Sequence, residues 1–367
     1  MFGILNRVCL PPLWGKAARL VCRSLSASAV AAFLTLSAAQ AQTLTTAETG
    51  HFTGPDRTQR LIAGAKKEGT LTLYSSAQVA VMTAVGKAFE TKYGVKVNLW
   101  RGASEQIFQR VQAEARAGRL AADVMETAGP TIEGVNRIGL LQNIVTPITS
   151  ELMPEAYRAE RPWIVSRLSV FTVAYNNKLF RKADIPLSYE GFLDPKWKGK
   201  LAIEADDNNW LMSVTGALGE ERGLKLLRDI VARNGISVRK GHSLMATLVV
   251  SGEVPIALTA YVDEIDVLKE TRAPIDYAFA SPTVAMPTAL GVFKRAPHPH
   301  AAVLFADFLL SEEGQKILSA HGMVTTNLKV QRLPADVKLV FMDAGKYLDE
   351  NARWTRLYRE IFVTQTR

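Results

Sequence analysis

The sequence predicts an α/β protein of two doubly wound lobes joined by two crossover strands. Three observations predict it. A strand-then-helix unit recurs three times between Gly69 and Arg137. A second strand–helix series begins near Lys200. Two long apolar strands, Leu168 to Tyr175 and Val284 to Lys294, bracket that second series.

The chain opens on a leader. Arg7, Lys16, Arg19 and Arg23 form a basic stretch without an acid, and Leu25 to Ala38 is small and apolar. Ala39-Gln40-Ala41 has the small-x-small form that a signal peptidase accepts, so cleavage is expected after Ala41 and export to the periplasm follows. The apolar run is 14 residues, short of the roughly 20 that span a bilayer as a helix. An uncleaved signal anchor is the alternative. Cys9 and Cys22 both lie in residues 1–41, so the remaining 326 residues hold no disulfide, thiol nucleophile or thiolate metal site. The formal charge of +9 includes those four basic residues, which leaves +5. Signs alternate along helical stretches such as Glu220-Glu221-Arg222 and Lys225 to Asp229. That pattern marks solvated faces and argues against a nucleic-acid partner.

Residues 42–65 read as a loose polar arm and the start of a helix running from Arg57 to Glu68. Gly69 ends that helix. Thr70 to Tyr74 then alternates with period two as a strand. Met82, Val85, Phe89 and Tyr93 form a helical stripe stopped at Gly94; Val95, Val97 and Leu99 alternate as the second strand. Ile107, Phe108, Val111 and Ala115 form the next stripe, and Ala122 to Glu126 the third strand. Gly129-Pro130 starts another helix where the missing N–H of proline costs nothing. Parallel strands with right-handed crossovers make half of a doubly wound lobe.

After Leu168–Tyr175 the chain turns irregular from Asp184 to Gly199, broken by Ile185-Pro186 and Asp194-Pro195. Strand Lys200–Glu204, helices from Trp210 and over Leu224–Val231, and strands Val254–Ala260 and Ile275–Ala280 form the second series. Helices His300–Leu310 and Glu312–Ala320 follow the return strand, and Tyr347, Trp354, Leu357 and Ile361 mark a last one. The expected division is residues 66–170 with 288–325 in lobe 1, and 171–287 with 326–367 in lobe 2. Two crossings make a hinge, and a cleft lies where the strand ends of both lobes meet.

Gly69 to Ser76 (GTLTLYSS) and Phe89 to Val97 (FETKYGVKV) resemble the opening of periplasmic solute-binding proteins of ABC importers. The branch is the one that takes ferric ion, thiamine, polyamines and phosphonates. Ala121 to Val124, Val173 to Leu179, Gly241 to Ser243, Ser251 to Ala257 and Ala306 to Gln315 resemble later segments of that family. Together they cover roughly residues 66–327. The resemblance implies a type 2 periplasmic binding fold and a solute held in the interlobe cleft. It also implies delivery to a membrane permease with a cytoplasmic ATPase, a monomer, and no required cofactor. No phosphate-cradling Gly-x-x-x-x-Gly-Lys loop is present.

The strand ends supply the candidate ligand-binding residues. Ser75 and Ser76 can hold an anion at a helix N-terminus or simply cap it. Arg101 and Ser104 occupy the matching turn of the second unit; Arg101 can pair bidentately with an anion or stay a surface charge. Glu126 and Thr127 end the third strand, where an acid serves a cation or a salt bridge. Asp206, Asn208 and Trp210 stand between a strand and a helix, with Asp207 and Asn209 among them. His242 and Ser243 open another helix. Tyr261 occupies the position where ferric binders of the family present tyrosines, with Glu264 one turn on.

The residues depart from that ferric pattern. Tyr261 is followed by Val262, not by a second tyrosine, and no histidine lies near Ser75. Glu126 and Tyr261 would be the protein ligands if Fe(III) were the transported solute, and a small anionic solute fits Ser75 and Ser76 better. His298-Pro299-His300 reads as a proline-set helix start rather than a metal motif, and Trp163, Trp197 and Trp354 as packing residues. Two other readings stay open. One is a ligand-sensing module for a membrane receptor. The other is an exported serine-dependent hydrolase using Ser75 or Ser76, for which no Gly-x-Ser-x-Gly turn is present.

Overall fold

A computed structural model describes residues 46–364. The expected leader, residues 1–41, and its cleavage after Ala41 lie outside the described residues. Among the described residues no helix is long and apolar enough to cross a membrane.

The first part of the chain runs α1 (Thr46–Gly50), α2 (Arg57–Glu68), β1 (Thr70–Ser75), α3 (Val79–Tyr93), β2 (Lys96–Arg101), α4 (Ser104–Arg116), β3 (Val124–Ala128), α5 (Gly129–Arg137) and β4 (Leu141–Gln142). Then come β5 (Ile164–Tyr175), β6 (Leu201–Glu204), α6 (Asn208–Leu218), α7 (Glu220–Asn234), β7 (Ser237–Arg239), α8 (His242–Ser251), β8 (Ile256–Tyr261), α9 (Val262–Glu270) and β9 (Asp276–Ala278). The return is β10 (Thr283–Phe293), α10 (Pro299–Leu310), α11 (Glu312–Ala320), β11 (Val324–Thr325), β12 (Leu339–Phe341) and α12 (Ala344–Tyr358). The α/β architecture expected from the sequence is the one observed.

The strands follow the order β2-β1-β3-β10-β5-β8-β6-β7. β1, β2 and β3 are parallel, as are β6, β7 and β8. β5 and β10 join the two sets. Ile164 to Val170 of β5 pairs with β10, and from Phe171 onward β5 pairs with β8. One strand thus changes partners between Val170 and Phe171.

Local chemistry explains the junctions. Gly69 ends α2 at φ 72°, a conformation that costs glycine nothing. Asp123 ties three elements together: it accepts the backbone N–H of Thr72 at 2.7 Å and of His298 at 2.7 Å, and its Oδ2 lies 2.9 Å from His298 Nδ1. Glu68 accepts the N–H groups of His300 and Ala301 at the start of α10. The His-Pro-His stretch therefore binds carboxylates of its own chain. Trp197, Trp210 and Trp354 are fully buried and Trp163 nearly so. Phe89 packs on Phe305 and Phe308. α12 packs against both α5 and α6.

One expectation is corrected. The segment before α2 is not loose over residues 46–56. Thr49 and Phe52 are buried, Arg60 lies over the Phe52 ring, and Val145 donates its N–H to Gly50. The aromatic ring, not the polar composition around it, decides the packing.

Candidate functional site

β6 and β8 are parallel, so Glu204, Asp206, Asp207 and Tyr261 reach the same edge of the sheet. Gly241, at φ 100°, turns the chain there so that α8 starts beside them with His242. Glu204 Oε1 accepts the N–H of Gly241 at 2.8 Å, and its Oε2 accepts that of Asp206 at 2.5 Å. Asp207 occupies the N-cap position of α6, yet its side chain makes no capping bond. Instead Asp207 Oδ1 lies 3.2 Å from His242 Nε2. Asp207 Oδ2 and His242 Nδ1 are both buried without a hydrogen-bond partner among the described residues. The His242 ring lies 4.2 Å from that of Tyr261, and Tyr261 lies 4.7 Å from Phe171. One ligating atom from each of Glu204, Asp207 and His242 falls within 4.8 Å of the others.

The electrostatics favour positive charge. Burial pushes the Asp207 carboxyl above its usual range, against the pull of His242. Burial would lower the His242 imidazole, but Asp207, with Glu264 and Glu204 behind it, raises it above the ordinary value. Burial holds the Tyr261 phenol well above 10, and Asp207, Asp263, Glu264 and Glu204 add to it. A phenol so surrounded keeps its proton unless an arriving cation displaces it to solvent.

Beside this cluster runs a groove of about 320 Å³ lined by Gln78, Ser243, Asp263, Glu264, His321 and Met323, among others. Gln78 stands at the N-cap of α3 in the first strand set, whereas Ser243 and Glu264 belong to α8 and α9 of the second. Ser243 Oγ donates to Glu264 Oε1 at 3.2 Å.

The first set is arranged differently. Ser75 is buried; its hydroxyl donates to Glu126 Oε2 at 2.7 Å and accepts the N–H of Ala77. Ser76 is half-buried, and its N–H goes to the Glu126 carbonyl. Glu126, 0% exposed, also takes a 2.8 Å bond from Arg167 Nε. Thr127 donates to Ser104 at 3.0 Å, joining β3 to α4. Arg101 is exposed and reaches the Ala77 carbonyl at 3.4 Å. The Ser75 hydroxyl therefore faces a carboxylate rather than an imidazole.

Several expected contact residues are engaged elsewhere. Trp210 is 0% exposed, with its N–H on the Tyr189 hydroxyl at 3.0 Å, so it is core and not a cleft wall. Asn208 is bolted to α12, taking the Tyr347 hydroxyl at 2.9 Å and giving its amide to Thr355 at 2.6 Å. Asp206 is exposed, 3.7 Å from Lys240. The sequence had named the Asp-Asp-Asn-Asn run, but Asp207, not Asp206 or Asn208, points at His242. Glu204 was not singled out. Its signal was available: it is the last residue of a strand parallel to the one ending in Tyr261.

Known proteins share this frame. The chain is 26% identical over 272 residues to an iron uptake protein A1 from a Synechocystis species, covering 69% of this chain and 74% of that one. It is 24% identical over 264 residues to the major ferric iron-binding protein of Neisseria meningitidis, covering 68% and 78%. The crystal structure of iron-bound HitA from Pseudomonas aeruginosa superposes with a TM-score of 0.66 at 25% identity, over 80% of this chain and 99% of that one. The family model for bacterial extracellular solute-binding proteins matches residues 84–341, and the chain belongs to that family.

Proposed function

We propose that this solute-binding protein captures ferric iron outside the cytoplasm and delivers it to an ABC permease driven by an ATPase. It acts without catalysis, as a monomer, after removal of residues 1–41. Residues 66–170 with 288–325, and 171–287 with 326–367, close as two lobes about the groove that Gln78 and Glu264 share. Closure is driven by contacts that exist only when both lobes touch the cargo.

One observation carries the choice of cargo: the Tyr261 ring lies 4.2 Å from His242, whose imidazole stands 3.2 Å from the Asp207 carboxylate in one cluster with Glu204. Phenolate and carboxylate oxygens are hard donors, suited to a hard cation. An anionic solute at Ser75 would meet the Glu126 carboxylate 2.7 Å from the hydroxyl, which reverses the preference read from the serines alone. The names of the relatives agree with a ferric cargo.

The test is to titrate the mature protein with Fe(III) supplied as its citrate complex. The expected result is one iron per chain with a visible phenolate-to-iron charge-transfer band that Tyr261→Phe abolishes. A mature protein that shows no band, no bound iron and no thermal shift under those conditions does not have this function.

A further inference from the structure

Resting on the ferric reading, we infer that the metal's protein ligands come from one side of the groove only. Asp207, His242 and Glu204 join Tyr261 as the donor set, and Glu126 takes no part. Three features support the assignment. Asp207 is 4% exposed and holds one carboxylate oxygen with no hydrogen-bond partner among the described residues, and His242 holds a buried ring nitrogen in the same condition. A buried polar atom left unpaired costs about 1–3 kcal/mol, so two of them on side chains that meet at 3.2 Å through their other polar atoms describe a site built for something else. The geometry is close to that of a metal site. One ligating atom from each of Asp207, His242 and Glu204 falls within 4.8 Å of the others, with the Tyr261 ring 4.2 Å from that of His242, and metal–ligand bonds of about 2.0–2.2 Å place two ligands of one ion up to about 4 Å apart. Small side-chain rotations close that gap. Glu204 has both oxygens engaged by backbone N–H groups, but each carboxylate oxygen has a second lone pair to give.

The opposite side cannot match this set. Glu126 is its buried acid within β3, and Ser75 and Arg167 already satisfy it. Recruiting it would strand the Arg167 guanidinium in a buried place. Iron therefore loads onto the face formed by β6, β8 and α8, and the other face closes over it.

The experiment compares Asp207→Asn, His242→Gln, Tyr261→Phe and Glu126→Gln with the parent chain, each checked for folding by its melting temperature. Fe(III) affinity is measured against a competing chelator, and electron spin-echo spectra of the iron-loaded protein are read for imidazole nitrogen. The expected result has four parts. Asp207→Asn and His242→Gln each weaken binding by about 10–100-fold. Tyr261→Phe loses the visible band. Nitrogen modulation is present in the parent and absent from His242→Gln. Glu126→Gln stays within about threefold of the parent, a difference far below that of losing a metal partner.

Retention of the Tyr261-dependent band with unaltered affinity in Asp207→Asn and His242→Gln, and no nitrogen modulation, overturns the donor set and leaves the ferric reading standing. Failure of the parent to take Fe(III), with Zn(II) or Mn(II) raising the melting temperature only while Asp207 and His242 are intact, overturns the ferric reading and keeps the site. A parent chain that takes none of the three metals overturns both.

Discussion

Glu126, inside β3, and Asp207, just past the end of β6, are both buried acids of parallel strand sets. Glu126 is enclosed by Ser75, Ser166 and Arg167. Asp207 has an imidazole on one oxygen, the Thr259 hydroxyl as a lesser influence, and a second oxygen with no hydrogen-bond partner of good geometry among the described residues. The same carboxylate chemistry is fully partnered in one half and left with an unpartnered oxygen in the other. What separates them is the count of partners already present. A carboxylate with both oxygens bonded and a guanidinium on one of them holds its own fold together, whereas one with an oxygen left unpartnered must find a partner outside the chain.

The strongest way to break this comparison is through the ligand. Tyr261→Phe removes the phenolate donor and should lower Fe(III) affinity by at least roughly 100-fold, the upper end of what losing even an outer-sphere partner costs. Ser75→Ala, on the satisfied side, should leave affinity within about threefold of the parent, well under that loss. Equal losses in the two variants, measured by chelator competition, would mean that the two sides share the cargo.

The next test turns Glu126 into an acid like Asp207. Arg167→Leu leaves the Glu126 charge buried and unpaired, and should cost about 3–5 kcal/mol in urea denaturation. The double variant Arg167→Leu with Glu126→Leu should recover most of that loss, because the unpaired charge goes with it. A cost below about 1 kcal/mol, the range of an exposed pair, would show that Glu126 needs no partner and that the contrast with Asp207 is false.

How far the sequence could be read follows the same divide. Alternation in Thr70 to Tyr74 and the glycines at 69 and 94 gave the strand and helix edges to within a residue or two, because those signals are local. Tyr261 was legible for the same reason: a strand ends there and a helix begins. Asp207 was legible only as one of a run, since which member turns inward depends on how α6 seats against α8. Trp210 was misplaced because an indole after a strand suits either a ligand wall or a core, and only the Tyr189 hydroxyl, 21 residues earlier in the chain, decides. The Arg167–Glu126 pair spans 41 residues, and no spacing rule reaches across it.

A smaller effect concerns α12, the helix that contacts both α5 and α6. Tyr347→Phe removes the 2.9 Å bond to Asn208 and should cost about 1 kcal/mol in the same denaturation assay. Because Asn208 adjoins Asp207, a matching fall in Fe(III) affinity would mean that α12 sets the position of the ligand carboxylate. Unchanged affinity keeps the two roles separate.

The last effect is read as a slope at alkaline pH and separates a structural tyrosine from a ligand one. Tyr74, at the end of β1, is 1% exposed and donates to Glu114 at 2.7 Å, with Arg110 beside it. Burial, then the Glu114 bond and charge, push its phenol up to about 12 despite Arg110. The folded chain therefore holds this proton more tightly than the unfolded one, whose tyrosine titrates near 10. The resulting stability is complete below pH about 10 and is lost as pH rises through about 12. Urea denaturation at a series of alkaline pH values should show that fall, and Tyr74→Phe should flatten it. A slope that persists undiminished in Tyr74→Phe would place the alkaline loss on other groups. Fe(III) binding at neutral pH should be indifferent to this change, since the phenol's hydrogen bonds stay within its own half, to Glu114 and Arg110 of α4.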